Sequence, residues 1–99
     1  MTEEAIDSSI TVKLPDEVLP YKEDIRRFLD AMVYKLKVHS KKGKWENLSA
    51  LACVDRIEGE VGELTEAIDG GNLLEVMMEA ADVANYAMIC SAIVMERGK

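Results

Sequence analysis

Two acidic pairs sit in the second half of this chain: Glu60-Val-Gly-Glu63 and Glu79-Ala-Ala-Asp82. Each pair is spaced i, i+3, so on a helix its two carboxylates lie side by side on one face. Four oxygen-rich side chains on two antiparallel neighbours can surround a hard divalent cation. Such a site suits Mg²⁺ or Mn²⁺, because all-oxygen ligand sets select those ions. A di-iron bundle would want Glu-x-x-His motifs. The single histidine, His39, belongs to neither acidic motif, which weighs against iron and against a zinc hydrolase.

The elements that must position these acids follow from periodicity. Residues 1–19 read as an N-terminal extension. Residues 1–9 are polar and loose, Ile10 to Leu14 alternate as a short extended segment, and Pro15 and Pro20 bracket a turn. Residues 20–99 form the helical domain. A first helix starts near Pro20, which suits a first-turn position. It carries Ile25, Phe28, Leu29, Met32 and Leu36 on one stripe and ends near His39–Ser40. Lys41 to Trp45 is a loop punctuated by Gly43. A second helix, capped by Asn47 or Ser49, runs to Asp69, where Gly70-Gly71 stops it. Its apolar stripe is Ile57, Val61, Leu64 and Ile68. Asn72, with Glu75 three residues on, resembles a capping box for a third helix reaching about Glu96. The expected fold is an all-α antiparallel helical bundle.

At about 100° per residue, Glu60 falls roughly 70° from the middle of the second helix's apolar stripe, with Glu63 further round. Both flank the buried seam, whereas Glu66 points to solvent. The third helix is apolar around most of its circumference, as a helix with several partners is. One polar stripe interrupts it: Glu75, Glu79, Asp82 and Tyr86, with Asn85 alongside. Buried carboxylates are costly unless paired, and this helix offers no Lys or Arg before Arg97. For one acidic pair, an open solvated edge is the simpler reading. For two pairs on adjacent helices, a bound cation is.

The bulk numbers bound the rest. Ninety-nine residues make one domain with a modest core, 48% hydrophobic and only 5% aromatic. A small helical domain of this kind often completes its core by oligomerising. The net charge of -7 repels nucleic acid and anionic membranes, so neither is an expected partner. Against that background, five lysines between Lys35 and Lys44 stand with no intervening acid. They could meet a small polyphosphate, although Lys near a helix C-terminus equally suits the macrodipole. Cys53 and Cys90 lie inside helical patterns without C-x-x-C spacing and read as buried free thiols. No leader sequence and no apolar run of bilayer length are apparent, which makes the cytoplasm the expected compartment.

The string Gly59-Glu-Val-Gly-Glu-Leu-Thr-Glu-Ala-Ile68, followed by Glu79-Ala-Ala-Asp-Val-Ala-Asn-Tyr-Ala-Met88, resembles the MazG-like all-α nucleoside triphosphate pyrophosphohydrolases. Lys41-Lys-Gly-Lys-Trp45 also looks like the K-G-x-W segment that precedes the second helix in short members. The likeness spans roughly residues 20–97. It implies that Glu60, Glu63, Glu79 and Asp82 hold Mg²⁺ and that a (d)NTP is hydrolysed to (d)NMP and pyrophosphate in nucleotide-pool control. It further implies a homodimer or homotetramer. Short members occur in phages and prokaryotes, so a host cytoplasm is also in view. They often carry Asn where this chain has His39, a position associated with substrate contact, so the resemblance leaves the base unspecified.

Within that implied reaction, Glu63, outermost from the stripe, is the preferred general base. Lys42 and Lys44 either neutralise outer phosphates or are plain surface lysines. Trp45 stacks on the base or lids the core. Asn85 and Tyr86 continue the polar side of the third helix towards sugar or phosphate, and Tyr86 could instead only pack. His39 could hydrogen-bond a phosphate or a base, or simply end its helix. Two other classes compete. A non-catalytic helical interaction module predicts no metal dependence, and a carboxylate redox protein predicts bound iron. A nucleoside diphosphate or another pyrophosphate-linked nucleotide could replace the triphosphate.

Overall fold

A computed structural model describes residues 8–42, 45 and 47–98. Residues 8–15 have no regular structure, and a 3-10 turn covers Asp16–Tyr21. Three helices follow: α1 over Lys22–Val38, α2 over Ala50–Gly70 and α3 over Leu73–Arg97. A second short 3-10 turn, Ser40–Lys42, leaves α1. The described residues include no strand, and the expected all-helical class holds.

The helix ends follow local chemistry. Pro20 lies inside the first 3-10 turn rather than opening α1, because its fixed φ serves either geometry. Of the two cap candidates for α2, Ser49 is the one used: its Oγ accepts from the Ala52 N–H at 3.0 Å. At the far end Gly71 takes φ +75°, the left-handed region open to glycine. Its N–H donates to the carbonyls of Ala67 and Ile68, both at 3.1 Å. Asn72 then caps α3 through an Oδ1 that accepts from the Glu75 N–H at 3.0 Å. So tight a turn lays α3 antiparallel along α2.

Helix α3 is the shared element. It packs along α2 and along α1, while the backbones of α1 and α2 stay apart from each other among the described residues. The pairing of Met32 with Asn85 and of Lys35 with Asp82 shows that α1 also runs antiparallel to α3. The result is a groove with α1 and α2 as walls and α3 as floor.

The seam of α2 differs from the stripe expected from hydrophobicity. Val61 and Ile68 are 45% and 59% exposed. The residues turned inwards are Ala50, Cys53, Ile57, Glu60, Leu64 and Ala67, a strict 3-4 alternation. Ala50, Cys53 and Ala67 are small, and they let α3 come close where Val or Ile would hold it off. Glu60 therefore sits on the seam itself, not beside it. α1 shows the same alternation: Ile25, Phe28, Met32, Lys35 and His39 are its half-buried positions.

Among the described residues the buried apolar set is small: Ala31, Ala50, Cys53, Ala67, Ala81 and Ile93. Trp45, Leu48, Tyr86, Ile89 and Cys90 pack against the Ala50, Cys53 and Ile93 cluster. Both cysteines are free thiols, as expected. Cys53 donates to the Tyr86 carbonyl at 3.1 Å, and burial pushes its thiol pKa up. One expectation needs correcting. α3 is long and apolar enough, by length and composition, to cross a bilayer, with a mean hydropathy of 1.2 over its most apolar window. The run reaches that length because Glu79 and Asp82 are the only charged residues between Val76 and Val94.

Candidate metal centre and nucleotide groove

Charged side chains occupy the seam of all three helices at one level. Lys35 comes from α1, Glu60 from α2, and Glu79 and Asp82, one turn apart, from α3. One carboxylate oxygen from each of Glu60, Glu79 and Asp82 lies within 4.8 Å of the other two. Asp82 is buried, and Glu60 and Glu79 are half-buried. Glu60 Oε2 and Glu79 Oε1 are shut off from solvent and have no hydrogen-bond partner. A buried acceptor left unpaired is costly, and two carboxylate oxygens in that state next to a third acid are more so.

The electrostatics register that cost. The pKa of Glu60 is raised to about 7, first by burial, then by the charges of Asp82, Glu63 and Glu79. Glu79 is raised by burial and by Glu63 and Asp82, with Lys35 opposing. Asp82 has basic neighbours: Lys35 Nζ lies 3.2 Å from its Oδ2, and the His39 imidazole Nε2 lies 3.8 Å from its Oδ1. Glu63 is exposed on α2, one turn beyond Glu60, and stands outside the tight triad. Its charge still reaches both glutamates. The donor set is all carboxylate, with two oxygens held dry and unpaired, and it fits a hard divalent cation.

Beside the triad the groove opens to about 580 Å³. Its walls hold Lys35 and His39 from α1, Trp45, Asn47 and Leu48 from the connecting loop, and Arg56 from α2. Asp82, Asn85, Tyr86 and Ile89 line its floor. Five of the sequence-nominated residues thus meet in one cavity: His39, Trp45, Asp82, Asn85 and Tyr86. Trp45 both lines the groove and packs on the core cluster, so the stacking and lid readings are compatible. Asn85 is 5% exposed. Its Nδ2 donates to the Met32 carbonyl at 3.1 Å, and its Oδ1 is buried and unpaired. Lys44, and the side chain of Lys42, lie outside the described residues.

Two further basic residues line the groove: Lys35, from the lysine run that the sequence shows between Lys35 and Lys44, and Arg56, which neither the acidic motifs nor the apolar stripes single out. Lys35 continues the inward alternation of α1, whereas Arg56 is exposed beside the inward Ile57 of α2. Lys35 follows Met32 by three. Arg56 lies three after Cys53 and four before Glu60. The Arg56 Nη1 donates to the Tyr86 hydroxyl at 3.3 Å.

No family model, curated protein or solved structure matches this chain.

Proposed function

We propose that this chain is a metal-dependent nucleoside triphosphate pyrophosphohydrolase of the MazG-like type, releasing pyrophosphate and a nucleoside monophosphate. The observation that carries the proposal is the pair of dry, unpartnered oxygens, Glu60 Oε2 and Glu79 Oε1, converging with Asp82, which itself lines the adjoining groove of about 580 Å³. A solvated acidic surface would not leave carboxylate oxygens buried without partners.

Glu60, Glu79 and Asp82 would hold Mg²⁺ or Mn²⁺, with Glu63 adjoining. When bound, the ion supplies charge neutralisation on the phosphate oxygens and a more acidic water. The chain does the rest. Glu63, exposed at the edge of the cluster, takes a proton from the attacking water. The water oxygen bonds to the α-phosphorus as the bond to the α,β-bridging oxygen breaks, and pyrophosphate leaves with that electron pair. Arg56 and Lys35 supply positive charge for the phosphate chain. Trp45 offers a π-face to the base. Asn85 Oδ1, an acceptor without a partner, suits a donor group such as a sugar hydroxyl.

The same reading includes self-association in the cytoplasm as a homodimer or homotetramer. Its support is the contrast between the thin buried core and the many large apolar side chains left exposed on all three helices.

The test is pyrophosphate release from a panel of NTPs and dNTPs with Mg²⁺, with Mn²⁺ and with EDTA. Glu63→Gln and Asp82→Asn should both abolish metal-dependent release, and the panel should rank the bases. Folded wild-type protein that releases nothing from any nucleotide would overturn the proposal.

A further inference from the structure

Lys35 occupies a position that an apolar residue would normally fill. It continues the inward series of α1 after Met32, and its side chain is only 17% exposed. Its Nζ meets Asp82 Oδ2 at 3.2 Å, and Asp82's side chain is 9% exposed. An ammonium held that deep persists only if counter-charge surrounds it. Asp82 is in direct contact, and Glu79 is close enough for its carboxyl to feel the Lys35 charge. The other basic side chains of the groove lie further out. His39 is 3.8 Å from Asp82, and Arg56 turns to the Tyr86 hydroxyl.

An ion bound to the triad needs Asp82 as a ligand, and Asp82 is already engaged. Resting on the metal-site reading above, we propose that Lys35 is the resident cation of the metal-free cluster. A divalent ion takes Asp82 from it, and the displaced ammonium, still on the groove wall, becomes the binding group for an oxyanion of the phosphate chain. Lys35 thus opposes the metal when no anion is present and favours the metal and anion together. The coupling is reciprocal by thermodynamic necessity: the ion improves anion binding by the same factor as the anion improves ion binding. The site then discriminates against free metal and against metal-free nucleotide, and selects the metal–polyphosphate pair.

Direct Mn²⁺ binding tests this without turnover, read from the electron paramagnetic resonance of the free ion. Lys35→Met should bind Mn²⁺ alone about tenfold or more tightly than wild type, since the competitor is gone. It should bind the Mn²⁺–imidodiphosphate complex about tenfold or more weakly. Lys35→Arg, which keeps the charge, should stay close to wild type in both. Lys35→Gln serves if the methionine variant loses its helical circular dichroism. In the wild-type protein, acetylation of the Lys35 amine, followed by mass spectrometry, should quicken on adding Mn²⁺ and slow again with imidodiphosphate. Equal Mn²⁺ affinity in wild type and Lys35→Met, or an acetylation rate indifferent to Mn²⁺, would overturn the role of Lys35 and leave the metal site standing. Absence of Mn²⁺ binding in every variant would remove the metal site and this proposal with it.

Discussion

The guanidinium of Arg56 lies 3.3 Å from the phenolic oxygen of Tyr86, joining α2 to α3 across the groove floor. Arg56 stands one turn before Glu60, so its charge faces the groove at the level just beyond the acidic triad. An arginine here presents a planar fork of donors suited to phosphate oxygens. Arg56→Ala should raise KM for the nucleotide by roughly 10–100-fold, the range for losing a charged hydrogen bond of about 1.5–3 kcal/mol, and change kcat less. Tyr86→Phe should have a smaller effect in the same direction, because it removes only the group that steadies Arg56. Steady-state kinetics on both variants separates the two. A wild-type KM in Arg56→Ala would reduce the residue to a surface charge.

The raised pKa of Glu60, about 7 against an ordinary 4.5, makes stability depend on pH with a definite sign. Between those values the folded protein holds a proton that the unfolded chain has released. Stability is therefore full below about pH 4.5 and falls as pH rises through 7. Glu79 is shifted the same way and adds to the fall. In EDTA, urea unfolding midpoints should drop from pH 5 to pH 8. Glu60→Gln should flatten that profile and stabilise the metal-free protein at pH 8 by about 1–2 kcal/mol, while abolishing metal binding. Added Mg²⁺ should reverse the trend in wild type, since the ion prefers the ionised carboxylates. A wild-type midpoint that rises between pH 5 and pH 8 in EDTA would contradict the shift.

Much of this arrangement is legible in the sequence. The caps at Ser49 and Asn72, the glycine stop at Gly71 and the two acidic pairs all announce themselves, because each depends on residues within four positions of one another. Hydrophobicity misplaced the seam of α2. Val61 and Ile68 outweigh Ala50, Cys53 and Ala67 on any transfer scale, yet small size decides which face another helix can approach. Which of the five lysines turns inwards is hidden for a related reason. A lysine among lysines at a helix end looks solvated, and only the distant Asp82, 47 positions along the chain, turns it inwards. Polar residues that break an otherwise apolar 3-4 alternation mark the places where local rules yield to a site. Lys35, Glu60, Glu79 and Asp82 are four such breaks at one level.

Arg97, in the last turn of α3, donates through Nη2 to the carbonyls of Trp45 at 3.3 Å and Leu48 at 2.9 Å. These bonds hold the loop wall of the groove against the end of its floor helix. Because Trp45 is the only tryptophan, its emission reports on that wall. Arg97→Ala should red-shift the emission and lower stability by about 1–2 kcal/mol. It should also weaken nucleotide binding without altering Mn²⁺ affinity, since the triad lies away from this end of α3, on Glu60 of α2 and on Glu79 and Asp82. Emission and Mn²⁺ affinity both unchanged would mean that the loop holds its place by packing alone.

The sparse core predicts the assembly state. Four of the six buried apolar residues among those described are alanines, and Ile93 is the largest of the set. Meanwhile Val61 and Ile68 on α2, and Leu74, Met88 and Met95 on α3, remain 40–83% exposed. The radius of gyration is 15.7 Å, against about 13 Å for a compact chain of this length. Burying such residues against a second copy would remove further apolar surface from water, at roughly 25 cal/mol per Å². Sedimentation at micromolar concentration should therefore show a dimer or tetramer whose melting temperature rises with protein concentration. Ile68→Glu should shift the population towards monomer and lower the melting temperature, because it puts a charge where the interface needs apolar area. Leu74→Glu, across the Gly70-Gly71 turn, tests whether the same end of the α2–α3 hairpin is involved. A wild-type chain that sediments as a monomer and unfolds cooperatively at a concentration-independent temperature would show that this core, small as it is, suffices alone.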